Sequence, residues 1–429
     1  MSRVVDRCML WLVCLYAAAI PLVGNRDIDV SMRVPFYRFR SIGVVIATLL
    51  ALAAYLTTSP DRLRRLPPGT LACFSLSMAF AAYYAVAGTL RDNLSIPLAV
   101  LFAIWAMALY LVFPMWLRNL AQVRALITGL LLANLITWII GFALDPTFSH
   151  HRFTGRISLG FANPNSYAQI LQIVFACALF LLSAPTKTPQ PRVLRLALYA
   201  LMASAAALAY LAMSRNVLVF MLVIVAVYSA LHLGTRLIGF SAAAAFLGMA
   251  GIMGALESSD TATINALSSG RLTYWSLVVE QGFGVRSAWY DFLIGPSHTV
   301  SAELATGGYN DMPDDRVFRR DHFDNSYVAL LVQGGLIGLA LFLMPHLRIV
   351  RVAYQSWRHE PARRACYAWY LAVAAGIAAQ SFFVATIPTF NNSVGLFIAL
   401  LTTSALSINA DPLSIPISKR SSQHQGRRF

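Results

Sequence analysis

Charge is what this sequence has least of. Only 12% of its 429 residues are charged and 58% are hydrophobic. That is about half the charged fraction of a soluble globular domain, and it places the chain in a bilayer. The five cysteines, Cys8, Cys14, Cys73, Cys177 and Cys366, all fall inside apolar runs. No disulfide framework or zinc pattern is indicated, and they read as small apolar residues. No soluble basic domain accompanies the net charge of +15, so nucleic acid is not the expected partner. Anionic membrane lipid is, because the basic residues flank apolar runs. No internal repeat is visible.

What the chain has instead is one apolar run after another. A membrane helix needs roughly 20 mostly apolar residues, and such runs lie near 7–24, 41–59, 70–88, 95–116, 122–144, 164–184, 196–213, 217–233, 237–256, 324–345, 365–388 and 391–409. The reading is an all-α polytopic membrane protein with about 12 transmembrane helices. Residues 1–256 hold the first nine, 257–322 form one long loop, 323–409 hold the last three, and 410–429 form a Ser-rich, basic tail expected to be disordered. The first run lacks a small-residue cleavage pattern and is expected to stay as an anchor.

An even number of spans puts both termini on one side. If that side is the cytoplasm, it holds 20 of the 33 basic residues, against eight on the far side once the long loop is set aside. The bias fits the positive-inside rule. The orientation depends on reading Ser214-Arg215-Asn216 as a turn between two helices. A kink within one helix would move every later loop to the other side. A single helix over 196–233 would be roughly 57 Å long, nearly twice the hydrocarbon thickness, which favours the turn.

The long loop contains Tyr274, Trp275, Phe283, Trp289 and Tyr290, and Arg271 to Gln281 reads as a short amphipathic helix. A Gly, Pro and Asp-rich stretch over 303–316 reads as turns. Together they suggest an ordered cap over the bundle, with aromatics at headgroup level.

In this topology the outer rim gathers Arg152, Arg156, Arg215, Arg271, Arg286, Arg319 and Arg320, with no lysine. Guanidinium groups hold phosphate oxygens through paired hydrogen bonds, so a lipid pyrophosphate is the natural guest. Arg215 sits at the hydrocarbon edge, where it is either an anion ligand or a snorkelling arginine at a helix end. His322, in the setting Arg319-Arg320-Asp321-His322-Phe323-Asp324-Asn325, is either a general base kept neutral by its basic neighbours or a packing residue at a helix start. His150 and His151 read as structural. Asn163-Pro164-Asn165 opens a span, and Asn165 caps it or hydrogen-bonds a sugar. Asp27 and Asp29 form a carboxylate pair without a third ligand, a poor divalent-cation site. No metal or other cofactor is expected.

These residues resemble a family. Gly155-Arg156 with Phe161 to Tyr167 (FANPNSY), Ser214-Arg215-Asn216, Ser269-Gly270-Arg271 with Trp275, and His322 with Asn325-Ser326-Tyr327 before Gly334-Gly335-Leu336-Ile337-Gly338 are similar in order and spacing to the motifs of the O-antigen ligases. These belong to the wider group of O-antigen ligase and polymerase-like membrane glycosyltransferases. The resemblance covers 150–345; each motif is short and the set is the specific signal.

The resemblance implies a helical fold of the membrane glycosyltransferase (GT-C-like) type in the inner membrane, with its active site at the periplasmic face. It implies an undecaprenyl-pyrophosphate-linked O-antigen donor and a lipid A-core acceptor. His322 corresponds to the proposed base and Arg215 to an arginine required for activity. Arg156, Arg271 and Arg319 or Arg320 would share the pyrophosphate, with Asn163, Asn165, Trp275 and Asn325 as further substrate contacts. An O-antigen polymerase or a protein O-oligosaccharyltransferase would share these motifs; the short tail after the last span favours the ligase over the latter. A lipid or glycan transporter is the alternative of a different class, and it predicts midplane charges, broken helices or repeated halves.

Overall fold

The computed structural model describes residues 2–23, 30–58, 61–64, 66–67, 69–90, 96–144, 164–186, 189–212, 214–233, 289–295, 326–382, 397–398 and 400–405. Among them the regular elements are all helices, with no strand. The long helices are α1 (Ser2–Val23), α2 (Val30–Thr58), α4 (Thr70–Leu90), α5 (Ile96–Met107), α7 (Leu120–Leu144), α8 (Pro164–Ser183), α9 (Arg192–Leu211), α10 (Arg215–Leu233), α12 (Ser326–His359) and α13 (Arg364–Gln380). The short ones are α3 (Asp61–Arg64), α6 (Phe113–Trp116) and α11 (Trp289–Ile294). Among the described residues five stretches are long and apolar enough to cross a membrane: Thr70–Ala87, Ala99–Trp116, Leu120–Ala143, Arg192–Leu211 and Gly334–His359. Val45–Thr58, Tyr167–Ser183 and Asn216–His232 are shorter apolar helices. The chain is a helical membrane protein.

Every expected span coincides with described helix except 237–256, which lies outside the described residues, and 391–409, of which only 397–398 and 400–405 are described. Two helices run further than the apolar runs that announced them, while α13 ends at Gln380, short of the expected 388. α2 begins at Val30 rather than near 41, and α12 continues past the expected end at 345, through Pro345, to His359. Helix geometry does not stop where hydropathy falls, because polar residues can continue a helix into the interface.

Packing fixes the helix directions. Gly129 of α7 lies against Cys14 of α1, and Thr137 Oγ1 donates to Ala18 O at 3.1 Å, so α1 and α7 run parallel. Cys73 Sγ reaches Pro345 O at 3.8 Å while Tyr83 Oη donates to Gly334 O at 2.7 Å, so α4 and α12 are antiparallel. α9 and α10 are separate helices that reverse at Ser214. Ala212 N–H donates to Leu208 O and Ser214 N–H to Ala209 O, a Schellman-type ending, and Ser214 O then accepts from Val217 and Leu218.

One end of the bundle is basic, and every arginine whose side chain is described belongs to it. Arg62 is 8% exposed and grips Asp6 with both nitrogens, at 2.8 and 3.2 Å, while donating to Met115 O at 3.2 Å. Tyr55 donates to the same carboxylate at 3.0 Å and lies under the guanidinium. This buried pair ties together α1, α2, α3 and α6. Arg124 closes α7 onto the end of α8 through Ala184 O and Pro185 O.

Two long elements are interrupted. Pro114 has no N–H to offer the preceding turn, and Ala108–Val112 widen into a π-helical turn. In α12 the helical ladder breaks at Gly335, where φ is 60° and ψ −166°. A Cβ there would collide with Leu293 O and Gly295 N, so α11 packs backbone against backbone on the break. We expect Gly335→Ala to destabilise the protein by about 2 kcal/mol or more through strain and collision. Gly43→Ala in α2, where nothing lies within 4 Å of the added carbon, should be neutral or slightly stabilising. Thermal unfolding in detergent, followed by intrinsic fluorescence, checks both.

Candidate functional site

Three helix starts are directed towards the C-terminal end of α13. The first is α8. Trp369 Nε1 donates to Ala176 O at 2.7 Å, the Trp369 and Phe180 rings stand 4.7 Å apart, and Gln380 Nε2 donates to Gln172 Oε1 at 2.7 Å. α8 and α13 are therefore antiparallel, and the start of α8 at Pro164 lies towards the end of α13. The second is α10, whose Phe220 and Ile224 pack on Gly376 while Tyr228 lies near Cys366. Ser214 and Asn216 thus come level with Gln380. The third is α12: Ser326 N–H donates to Ser381 O at 2.9 Å, Tyr327 Oη to Ala378 O at 3.0 Å, and the Tyr327 and Phe382 rings are 4.6 Å apart.

The local reasons for these starts are readable. Pro164 occupies the first position of α8, where its missing N–H costs nothing. Ser214 precedes α10 and its hydroxyl donates to Asn216 Oδ1 at 2.7 Å, holding the amide against the helix start. Each start carries the positive end of a helix dipole, so three starts directed to one end favour an anion there.

Of the residues singled out by sequence, Arg215 is the first residue of α10 and Asn165 lies in the first turn of α8. Their side chains are outside what is described. Ser326, which directly follows Asn325 in the chain, begins α12. Arg156, Asn163, Arg271, Trp275, Arg319, Arg320, His322 and Asn325 lie outside the described residues, as do His150, His151, Asp27 and Asp29. The motif positions described at the helix starts therefore share one end of the bundle, opposite the basic end, while residues 334–338 lie deeper along α12.

Beneath the three starts lies a polar layer that the sequence reading passed over. Gln172 and Gln380 are 0% and 1% exposed, and Asn216 is 5% exposed. Among the described residues Gln172 Nε2, Gln380 Oε1 and Asn216 Nδ2 have no hydrogen-bond partner. The signal was present: Gln172 interrupts the apolar run 167–182 and Gln380 the run 365–388, and an amide inside a span is expensive unless it is used.

No protein-family model matches the chain, and no curated protein matches it.

The interhelical amide pair should be measurable. Gln380→Ala would strand Gln172 and lower stability by about 1–2 kcal/mol, whereas Gln172→Leu with Gln380→Leu, which leaves no buried amide behind, should recover most of that loss. A double-mutant cycle of unfolding in mixed micelles reads the coupling.

Proposed function

We infer that the chain is an O-antigen ligase, a glycosyltransferase that moves a glycan from undecaprenyl pyrophosphate to a sugar hydroxyl of lipid A-core during lipopolysaccharide biosynthesis. The observation that carries this reading is the meeting of α8, α10 and α12 at one end. These are the helices into which FANPNSY, Ser214-Arg215-Asn216 and the stretch from His322 to Tyr327 lead. The motif end is then periplasmic and the basic end, with both termini, cytoplasmic. The full set of 12 spans and the membrane glycosyltransferase architecture belong to the same proposal.

The chemistry follows from charge. The acceptor hydroxyl attacks the anomeric carbon, a new C–O bond forms there, and the bond from that carbon to the pyrophosphate oxygen breaks with its electron pair leaving on the phosphate. His322 takes the hydroxyl proton. Arg215, with Arg156, Arg271 and Arg319 or Arg320, meets the charge developing on the pyrophosphate, assisted by the helix starts, so no general acid is needed. Asn163, Asn165, Trp275 and Asn325 would contact the glycans. A single displacement from the opposite face inverts the anomeric centre, and the arginines take the part that a divalent cation plays elsewhere.

The break in α12 favours one other reading, since broken helices also occur in transporters. Here α11 fills the break rather than leaving it open to a cavity, which suits a fixed site better than alternating access.

Purified protein with a lipid-pyrophosphate glycan and lipid A-core, in EDTA, tests the proposal. We expect product from the wild type and a loss of about 10²–10⁴-fold in folded His322→Ala and Arg215→Ala. Lengthened glycan on the donor lipid instead would mean a polymerase. Lipid binding without transfer would mean a transporter.

A further inference from the structure

The break at Gly335 lies well below the outer ends of the helices around it. Gly335 follows Ser326, the start of α12, by nine residues, about 13 Å at 1.5 Å per residue. Tyr83, whose hydroxyl reaches Gly334 O at 2.7 Å, precedes the end of α4 at Leu90 by seven residues, about 10 Å. Two helices thus agree on the depth. At that level α11 is docked: Leu293 O and Gly295 N stand against Gly335 where any side chain would collide. Gly295, with φ 88°, ends α11 by donating its N–H to Asp291 O at 2.7 Å.

The large side chains that α11 exposes are aromatic. Trp289 is 77% exposed, Tyr290 51% and Phe292 48%, and the Trp289 and Tyr290 rings meet edge to face at 6.0 Å. Three large exposed aromatics on a six-residue helix are a poor surface to offer water. At roughly 10–13 Å below the ends of helices that span a hydrocarbon layer of about 30 Å, the surroundings are the outer part of the acyl chains and the glycerol region above them. Trp and Tyr favour that zone, where the ring is buried in hydrocarbon and the N–H or O–H reaches upward to polar groups. Backbone outside a regular helix is tolerated at such depth only when protein covers it, and α11 sets its backbone against the break in α12.

We propose that α11 is a membrane-inserted element of the long loop over 257–322, and that its Trp289, Tyr290 and Phe292 side chains bind the hydrocarbon chains of lipids in the leaflet at the motif end. The loop is therefore tied into the bilayer at this point rather than resting above it. Contact with lipid there is independent of the glycosyl transfer proposed above.

Full-length protein in vesicles of phosphatidylethanolamine and phosphatidylglycerol provides the test, with part of the lipid brominated either near the glycerol end or near the methyl end of the acyl chain. Trp289→Phe removes one of eight tryptophans, so its difference from the wild type isolates the Trp289 emission. A second reporter, Phe292→Trp in the Trp289→Phe background, reads a neighbouring position through an equally mild change. We expect both reporters to be quenched by bromines near the glycerol end at least twofold more than by those near the methyl end, and to resist aqueous iodide. Quenching by iodide without quenching by bromine would place α11 in water and overturn the proposal. Resistance to both quenchers would mean that protein covers the face, from the loop or from a second copy, and would overturn it equally.

Discussion

A bilayer offers no water to a broken peptide hydrogen bond, and this structure is organised around that constraint. Each interruption of a long helix is answered by a specific partner. The wide turn at Ala108–Val112 has the hydroxyl of Thr403 donating to Leu109 O at 3.2 Å. The reversal between α9 and α10 consumes its own free groups through Ala212, Ser214, Val217 and Leu218. The break at Gly335 receives the backbone of α11. Three hydroxyls follow the same logic: Ser183, Ser381 and Ser404 all donate to the carbonyl four residues earlier, so these O–H groups are paired within the chain.

Two ends with different chemistry result. At the basic end the Asp6–Arg62 pair is largely buried and doubly hydrogen-bonded, with Tyr55 and Met115 O as further partners. It locks the first helices of the chain to one another. At the other end polar groups lie inside the bundle with hydrogen-bonding capacity that no described residue takes up, in the Gln172, Gln380 and Asn216 layer. Buried capacity of that kind costs stability, and it sits below the helix starts to which the sequence motifs lead.

Much of the helical content was legible, because a run of about twenty apolar residues has few alternatives to a membrane helix. The Ser214-Arg215-Asn216 break was also legible: the length argument against one continuous helix agrees with the reversal seen at Ser214. Where α12 ends was not, since Arg348 and Arg351 lower hydropathy without stopping a helix. Gly334-Gly335-Leu336-Ile337-Gly338 read as a motif of small residues, yet its structural meaning depends on α11, some 40 positions earlier. Gln172 and Gln380 are 208 residues apart, and nothing local in either run names the other.

The sequence by itself determined the environment and the elements: too few charges for water, apolar runs of membrane length, and breaks marked by Ser, Asn, Pro and Gly. These follow from transfer free energies and backbone preferences, which act within a few residues. Which ends come together was decided only by tertiary packing. The starts of α8, α10 and α12 share the end of α13, and α11 fits Gly335, because close helix contact at Gly376 and Gly335 and the pairing of buried polar groups select one arrangement among many of equal hydropathy.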